Sequence, residues 1–312
     1  MIPSRCIAFP NASGHLLRGI LHEPDDARAR GVCVLLLSPG IKGRVGPHRL
    51  YLKIAARLVP LGFHVLRFDF PGLGDSDGAL SERVMADMYN SIQSGRYVGD
   101  TTAAMDWMEN TCRVRRFVGS GLCGGSLTAL LTAENDRRIE CLLGIGLPAT
   151  MEGSREHWGR HLTEGQLARV RDGYFRRLRS PESWRRLLLG RSDYAVIWKA
   201  IRQVLVPAGS RAPAPAAADD RTDDNTNPRF GPAFRAVAES GRPLLLLFGE
   251  NDRLHFAFAE KFEARNAPWL QHRPRPYSVQ LISKANHVMS DNPWVKEMLD
   301  IAERWLQDQY PA

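Results

Sequence analysis

The sequence has no apolar run approaching the roughly 20 residues that a membrane-spanning helix needs, so no membrane is expected among its partners. It also lacks, at its start, a basic stretch followed by an apolar one. MIPSRCIAFPNASGHLL carries no signal-peptide pattern, and a cytoplasmic location is the expectation. Cysteine is sparse and unpaired in pattern. Cys6, Cys33, Cys112, Cys123 and Cys141 contain no CxxC spacing, which leaves out zinc-finger and dithiol redox chemistry, and neither a metal nor another cofactor is expected. Cys6, Cys33 and Cys141 fall in apolar runs and read as small core residues. No internal repeat and no nucleic-acid-binding motif is visible, so nucleic acid is not expected as a partner. Acidic residues are outnumbered, 34 Asp and Glu against 42 Lys and Arg, and the excess of arginine gathers between Arg155 and Arg202. A basic face of this kind attracts acidic partners such as a nucleotide, a phosphopantetheine or an acidic carrier protein; the plainer reading is a solvated surface. Oligomeric state is not legible.

What is present is an alternation. Eight short apolar runs read as strands: SRCIAF, LLRGILHEP, GVCVLLLSPG, FHVLRFDFPG, RFVGSGL, ECLLGIGLPA, PLLLLFGEND and YSVQLIS. Helical patterns separate the later ones. HRLYLKIAARLVPLG stops at Gly62, GDTTAAMDWMENT starts with Asp100 as its cap, and NPWVKEMLDIAERWLQDQY has Asn292 as cap and Pro293 in the first turn. Apolar runs alternating with helices predict an α/β fold, a mostly parallel twisted sheet of about eight strands with right-handed crossovers, the first two strands forming an antiparallel hairpin at one edge. The alternation breaks in the middle. Residues 1–148 and 240–312 read as the core, and 149–239 as an inserted helical cap. Near 207–229 the composition turns to Pro, Ala and Asp, which predicts a mobile loop.

The most informative stretch is RFVGSGLCGGS. An apolar run ends in Gly121-Leu122-Cys123-Gly124-Gly125, and a helical pattern follows at once. A nucleophile elbow needs this arrangement: a strand, one exposed reactive residue on a sharp turn, small flanking residues, then a helix whose first N–H binds developing negative charge. Gly74-Asp75-Ser76-Asp77-Gly78 matches the same spacing with the commoner serine. PGLG separates it from its strand, so Ser76 sits on a loop, out of context. Downstream, Asp252 falls just past one strand, with Glu250 as the alternative acid, and His287 falls just past the last strand. Both positions lie at strand C-terminal ends, where parallel sheets gather ligands, and the order Cys, Asp, His is that of a hydrolase triad. Cys123, Asp252 and His287 are therefore the candidate nucleophile, acid and base. Pro39-Gly40-Ile41 ends the third strand. Gly40 permits a turn that aims the Ile41 N–H inward, which makes Ile41 and Gly124 the candidate oxyanion donors. His48 lies close in sequence to this loop.

On VGPHRLYLKIAARLVPLGFHVLRFDFPGLGDS, GLCGGS, FGENDRL and ANHVM, the chain resembles the α/β-hydrolase superfamily, in particular its serine aminopeptidase-like group. It is similar to the members with a cysteine elbow that are associated with exosortase systems and biosynthetic gene clusters. The resemblance covers about residues 15–148 and 240–310. It implies a nucleophile at Cys123, an acid at Asp252 and a base at His287. Many relatives carry His-Gly before the oxyanion loop where this chain has Pro39-Gly40; the donor is a backbone group, so the departure touches its orientation.

A cysteine at the elbow has chemical consequences. The intermediate formed on an oxygen ester expels the thiolate more readily than an alkoxide, whereas a thioester partitions evenly. The expected function is an acyl hydrolase or acyltransferase working through an acyl-enzyme on an activated thioester, its small acyl substrate carried on CoA or a carrier protein. Alternatives are an esterase or lactone hydrolase, and a non-catalytic binding protein on the same scaffold. Leu122 beside the elbow, and Trp158, Trp184 and Trp198 in the cap, are candidates for the substrate pocket.

Overall fold

The computed structural model of the chain describes residues 2–80, 82, 84–151, 225–271 and 277–311. Most of the expected cap, with Trp158, Trp184, Trp198, the arginine-rich stretch and most of the expected mobile loop, lies outside the described residues.

All eight apolar runs form strands: β1 (Ser4–Pro10), β2 (Leu16–His22), β3 (Val32–Leu37), β4 (His64–Phe68), β5 (Arg116–Leu122), β6 (Ile139–Ile145), β7 (Leu244–Gly249) and β8 (Tyr277–Ile282). They build one sheet in the order β1-β2-β4-β3-β5-β6-β7-β8. β1 and β2 pair antiparallel, as the turn PNASGH predicts, and β2 pairs antiparallel with β4. From β4 to β8 every pairing is parallel, so the C-terminal ends of six strands share one edge.

Strand alternation sends successive side chains to opposite faces. In β3, Cys33, Leu35 and Leu37 face one core while Val32, Val34 and Leu36 face the other. The first core is covered by α2 (Met85–Gln93), α3 (Val98–Cys112), α4 (Gly124–Asn135) and α5 (Phe230–Glu239). The second is covered by α1 (Leu50–Leu58) and α7 (Asn292–Gln309). Cys33 and Cys141 are buried core residues, but Cys6 is exposed, because β1 is an edge strand with little over that face.

Two cap assignments are corrected. Asp100 lies inside the first turn of α3, where Tyr97 is the N-cap. Its carboxylate accepts from Asn11 Nδ2 at 2.6 Å, so a tertiary partner on the β1–β2 turn takes the oxygen that a cap would use. At α7 the N-cap is Asp291, and the Asn292 side chain accepts from Lys53 Nζ at 2.9 Å instead.

The described part of the 149–239 segment joins the core. Phe230, Ala233, Phe234 and Val237 of α5 pack into the first cluster. Thr150 and Thr226 form an antiparallel bridge. Met151 N–H donates to Asn225 O at 2.7 Å and Asn227 N–H to Ala149 O at 2.9 Å. Gln93 of α2 ties both sides, donating from Nε2 to Thr150 O and accepting at its own carbonyl from Asn227 Nδ2.

Candidate active site

The parallel strands deliver the site to their shared C-terminal edge. β5 ends at Leu122 and α4 begins at Gly124, so Cys123 alone makes the turn, at φ 55° and ψ −120°. That conformation is costly for an L-residue and is held by its surroundings: Cys123 N–H donates to Ile145 O of β6 at 2.8 Å, and its carbonyl accepts from Leu127 N–H and Ser126 Oγ. The flanking glycines are required by contact. A Cβ on Gly125 would stand 2.2 Å from Leu37 O, and one on Gly121 would stand 2.7 Å from the Gly125 carbonyl carbon. The helix therefore starts against the end of β3, and Cys123 is left half-buried.

Beneath the turn, the fully buried Tyr51 of α1 donates its hydroxyl to Leu37 O at 2.6 Å and accepts the Leu122 N–H at 2.8 Å. One phenol thus joins the ends of β3 and β5 directly under the elbow. Burial pushes its own ionisation well above the ordinary range.

His287 and Asp252 meet Cys123 from the next strands. Asp252 follows β7, is 1% exposed, and caps α6 (Arg253–Phe258) by accepting from Leu254 N–H at 3.0 Å with Oδ1. Its Oδ2 lies 2.8 Å from His287 Nδ1. Cys123 is the other side chain that acts on the imidazole. Burial alone would lower the imidazole, but the hydrogen bond to Asp252 and the influence of Cys123 raise it to about 10.

The FGEND turn does more than present the acid. Asn251 N–H donates to Ala285 O at 2.8 Å, Asn251 Nδ2 donates to Lys284 O at 2.6 Å, and Glu250 Oε2 accepts Lys284 N–H at 2.8 Å. Glu250, the alternative acid, is thus a strap on the His287 loop, while Asp252 is the carboxylate on the imidazole. The serine motif at Gly74–Gly78 is also accounted for. Ser76 Oγ donates to Asp69 O at 2.6 Å and accepts Arg18 N–H at 2.9 Å, which fixes the loop rather than exposing a nucleophile.

Gly40 adopts φ 66°, and its N and Cα both lie 3.3 Å from the point a Gly124 Cβ would occupy. The two expected donor segments are therefore neighbours. Gly124 is the first residue of α4, so its N–H has no acceptor within the helix. Among the described residues the Ile41 N–H likewise has no protein acceptor. Two residues of α2, Tyr89 and Ile92, wall this corner: Tyr89 Cε1 would be 3.1 Å from a Cβ on Gly40, and Ile92 Cγ2 the same distance from one on Gly124.

Leu122 is only 2% exposed and packs in the second core, so its side chain is a packing element below the elbow. His48 is exposed. Sequence reasoning missed Gly146, which follows β6 with φ 55° and sits against both His287 and Asp252. A lone glycine after an apolar run is a common turn signal, so nothing in the sequence set it apart. Among the described residues no group of three His, Cys, Asp or Glu stands together as a metal site, and no helix is long and apolar enough to cross a membrane.

Solved structures share this arrangement of elements. An esterase of Pyrococcus furiosus is 16% identical, with a TM-score of 0.59 over 98% of this chain and 91% of its own. An esterase domain of a Rhodothermus marinus protein is 17% identical, with a TM-score of 0.53 over 98% and 99%. An alpha/beta hydrolase of Penicillium sp. sh18 is 15% identical, with a TM-score of 0.58 over the full length of both chains. At these identities the likeness concerns the fold. No curated protein matches the sequence. Residues 34–296 match the alpha/beta hydrolase family.

Proposed function

The chain belongs to the alpha/beta hydrolase family, and from that premise we propose that it is a cysteine acyl hydrolase or acyltransferase acting on an activated thioester. The observation that carries the reading is one imidazole, His287, bonded to buried Asp252 and subject to the influence of a cysteine on a strained strand-to-helix turn.

In this reading the proton shared between Cys123 and His287 rests on His287, and the sulfur attacks the acyl carbonyl carbon. The carbonyl π electrons move to oxygen, which lies against the Ile41 and Gly124 N–H groups. Collapse of the tetrahedral intermediate breaks the bond to the leaving thiolate, and His287 supplies that sulfur with its proton. Now neutral, His287 takes a proton from water or another acceptor as it attacks the Cys123 thioester. The second collapse expels the Cys123 sulfur and returns the site to its starting state. Asp252 holds Nδ1–H throughout, fixing the tautomer and ring plane.

A thioester is favoured over an oxygen ester because the first collapse then chooses between two thiolates of similar leaving ability. CoA or a carrier-borne phosphopantetheine is the corresponding leaving group. Intact-mass measurement after brief exposure to S-phenyl thiobutyrate tests the proposal. One butyryl group confined to Cys123 is expected, with neither adduct nor turnover in a folded Cys123→Ala variant. Full turnover in that variant removes the proposal, and tight reversible binding with no adduct in the parent favours a binding protein. Faster turnover of the matched oxygen ester would remove the thioester preference alone.

A further inference from the structure

We infer that Asp69 and Arg44 are positioning residues for the oxyanion donor Ile41, an inference that rests on the reading of the site just given. Loop 39–46 leaves the end of β3 with few bonds of its own: Gly40 N–H to Ser38 O, Lys42 N–H to Pro39 O and Gly46 N–H to Gly43 O, at 2.9, 3.4 and 3.1 Å. Its lateral hold comes from the neighbouring strand. Asp69, the first residue past β4, is 1% exposed and turns its carboxylate beneath the loop. Oδ1 accepts the Arg44 N–H at 2.6 Å. Oδ2 accepts the Arg44 guanidinium and, at 3.2 Å, the Asp75 N–H.

The fit leaves no room for side chains around that carboxylate. A Cβ on Gly43 would stand 2.9 Å from Oδ1, and one on Gly74 would stand 2.1 Å from Oδ2. Arg44 closes the assembly from outside by also pairing with Asp75, and its carbonyl accepts from Arg67 Nη1 at 3.4 Å. Residue 44 is thus held at its N–H, its carbonyl and its side chain, three residues from the donor. At the other end of the loop, Gly40 is wedged between Gly124 and Tyr89. Ile41 lies between two fixed points, so its N–H direction is set by both.

This arrangement acts on the carbonyl oxygen and leaves the sulfur alone. Asp69 and Arg44 touch neither Cys123, His287 nor Asp252 in any hydrogen bond or ion pair of the described residues. Alkylation of Cys123 by iodoacetamide needs the activated sulfur and no oxyanion donor, whereas acyl transfer needs both.

The experiment compares these two rates in Arg44→Gln and Gly43→Ala. The second variant pushes the loop off Asp69 without removing a charge. Each is expected to lower kcat on S-phenyl thiobutyrate by about 10- to 100-fold, the scale of a misplaced catalytic group, while iodoacetamide labelling of Cys123 stays within about twofold of the parent. Turnover within about threefold of the parent in both variants overturns the inference, as does a parallel fall of turnover and labelling. Loss of the folded state in both would make the contact a requirement of the fold instead of the donor, and would overturn it too. Failure of the underlying reading registers separately, as turnover that persists in Cys123→Ala.

Discussion

Gly146→Ala isolates the geometry of the acid–base pair. An ideal Cβ at this position would lie 2.8 Å from His287 Cε1, 2.9 Å from His287 Nδ1 and 3.1 Å from Asp252 Oδ2. Carbon atoms pack best at about 3.5–4.0 Å, so the ring must retreat by about 0.7–1.2 Å. Retreat strains the 2.8 Å bond to Asp252 or moves the ring relative to Cys123. A displacement of about 1 Å in a reacting group costs on the order of 100-fold in rate. The backbone penalty is smaller: φ is 55°, and an L-residue there pays about 1–2 kcal/mol, partly offset by about 0.4–1 kcal/mol of lost freedom in the unfolded chain. Turnover of S-phenyl thiobutyrate should therefore fall about 100-fold, while thermal unfolding shifts by only a few degrees. Gly241→Ala is the control, since φ there is 77° and nothing lies within 4 Å of the added methyl. It should show the stability cost without the loss of turnover. Turnover within about threefold of the parent in Gly146→Ala, or an equal loss in Gly241→Ala, would refute the reasoning.

Three further outcomes are expected. In NMR titration, His287 should titrate near 10 and fall in Cys123→Ala, which removes one of the two groups that raise it. Because its folded value lies above the ordinary 6.5, the stabilisation it brings is complete below about 6.5 and fades as pH climbs through about 10. His22, buried and beside Arg67, is lowered to about 4, first by burial and then by the guanidinium. Its contribution is therefore intact above about 6.5 and lost toward pH 4, on the order of 3 kcal/mol, and His22→Gln should flatten denaturant-measured stability across that window. Tyr51→Phe strands the Leu122 N–H and the Leu37 carbonyl in a dry interior, and urea unfolding should report a loss of about 1–3 kcal/mol.

Central strands such as β3 and β7 were legible because burial on both faces of a parallel sheet requires uninterrupted runs such as VCVLLL and LLLLFG, which few other structures need. The placement of Cys123, Asp252 and His287 at one edge of the sheet was legible because each falls at, or a few residues past, the end of a strand. The supports were less so. Asp100 and Asn292 have the chemistry of caps, yet Asn11 and Lys53, distant in sequence, claim their side chains. Asp69 reads as the end of an apolar strand, and only the folded loops reveal it as the anchor of residue 44. Phe230–Glu239 was counted with the inserted segment because the alternation of strands and helices resumes only afterwards. In three dimensions its Phe230 and Phe234 pack with Phe258, Phe262 and Tyr277, contacts that a one-dimensional pattern does not contain.

The bridge between Thr150 and Thr226 bears on how such a chain can vary. Paired antiparallel residues stand about 5 Å apart, so the backbone leaves the core and returns to it across a gap that a very short turn can span. Gln93 and Asn227 close the seam from the core side, with groups that belong wholly to the core. Whatever is threaded between those two threonines can lengthen, shrink or be exchanged while the strand edge that displays the sulfur keeps its course. Grafting a short glycine-serine hairpin turn in place of residues 152–224 should accordingly yield a protein that still folds and is still labelled at Cys123.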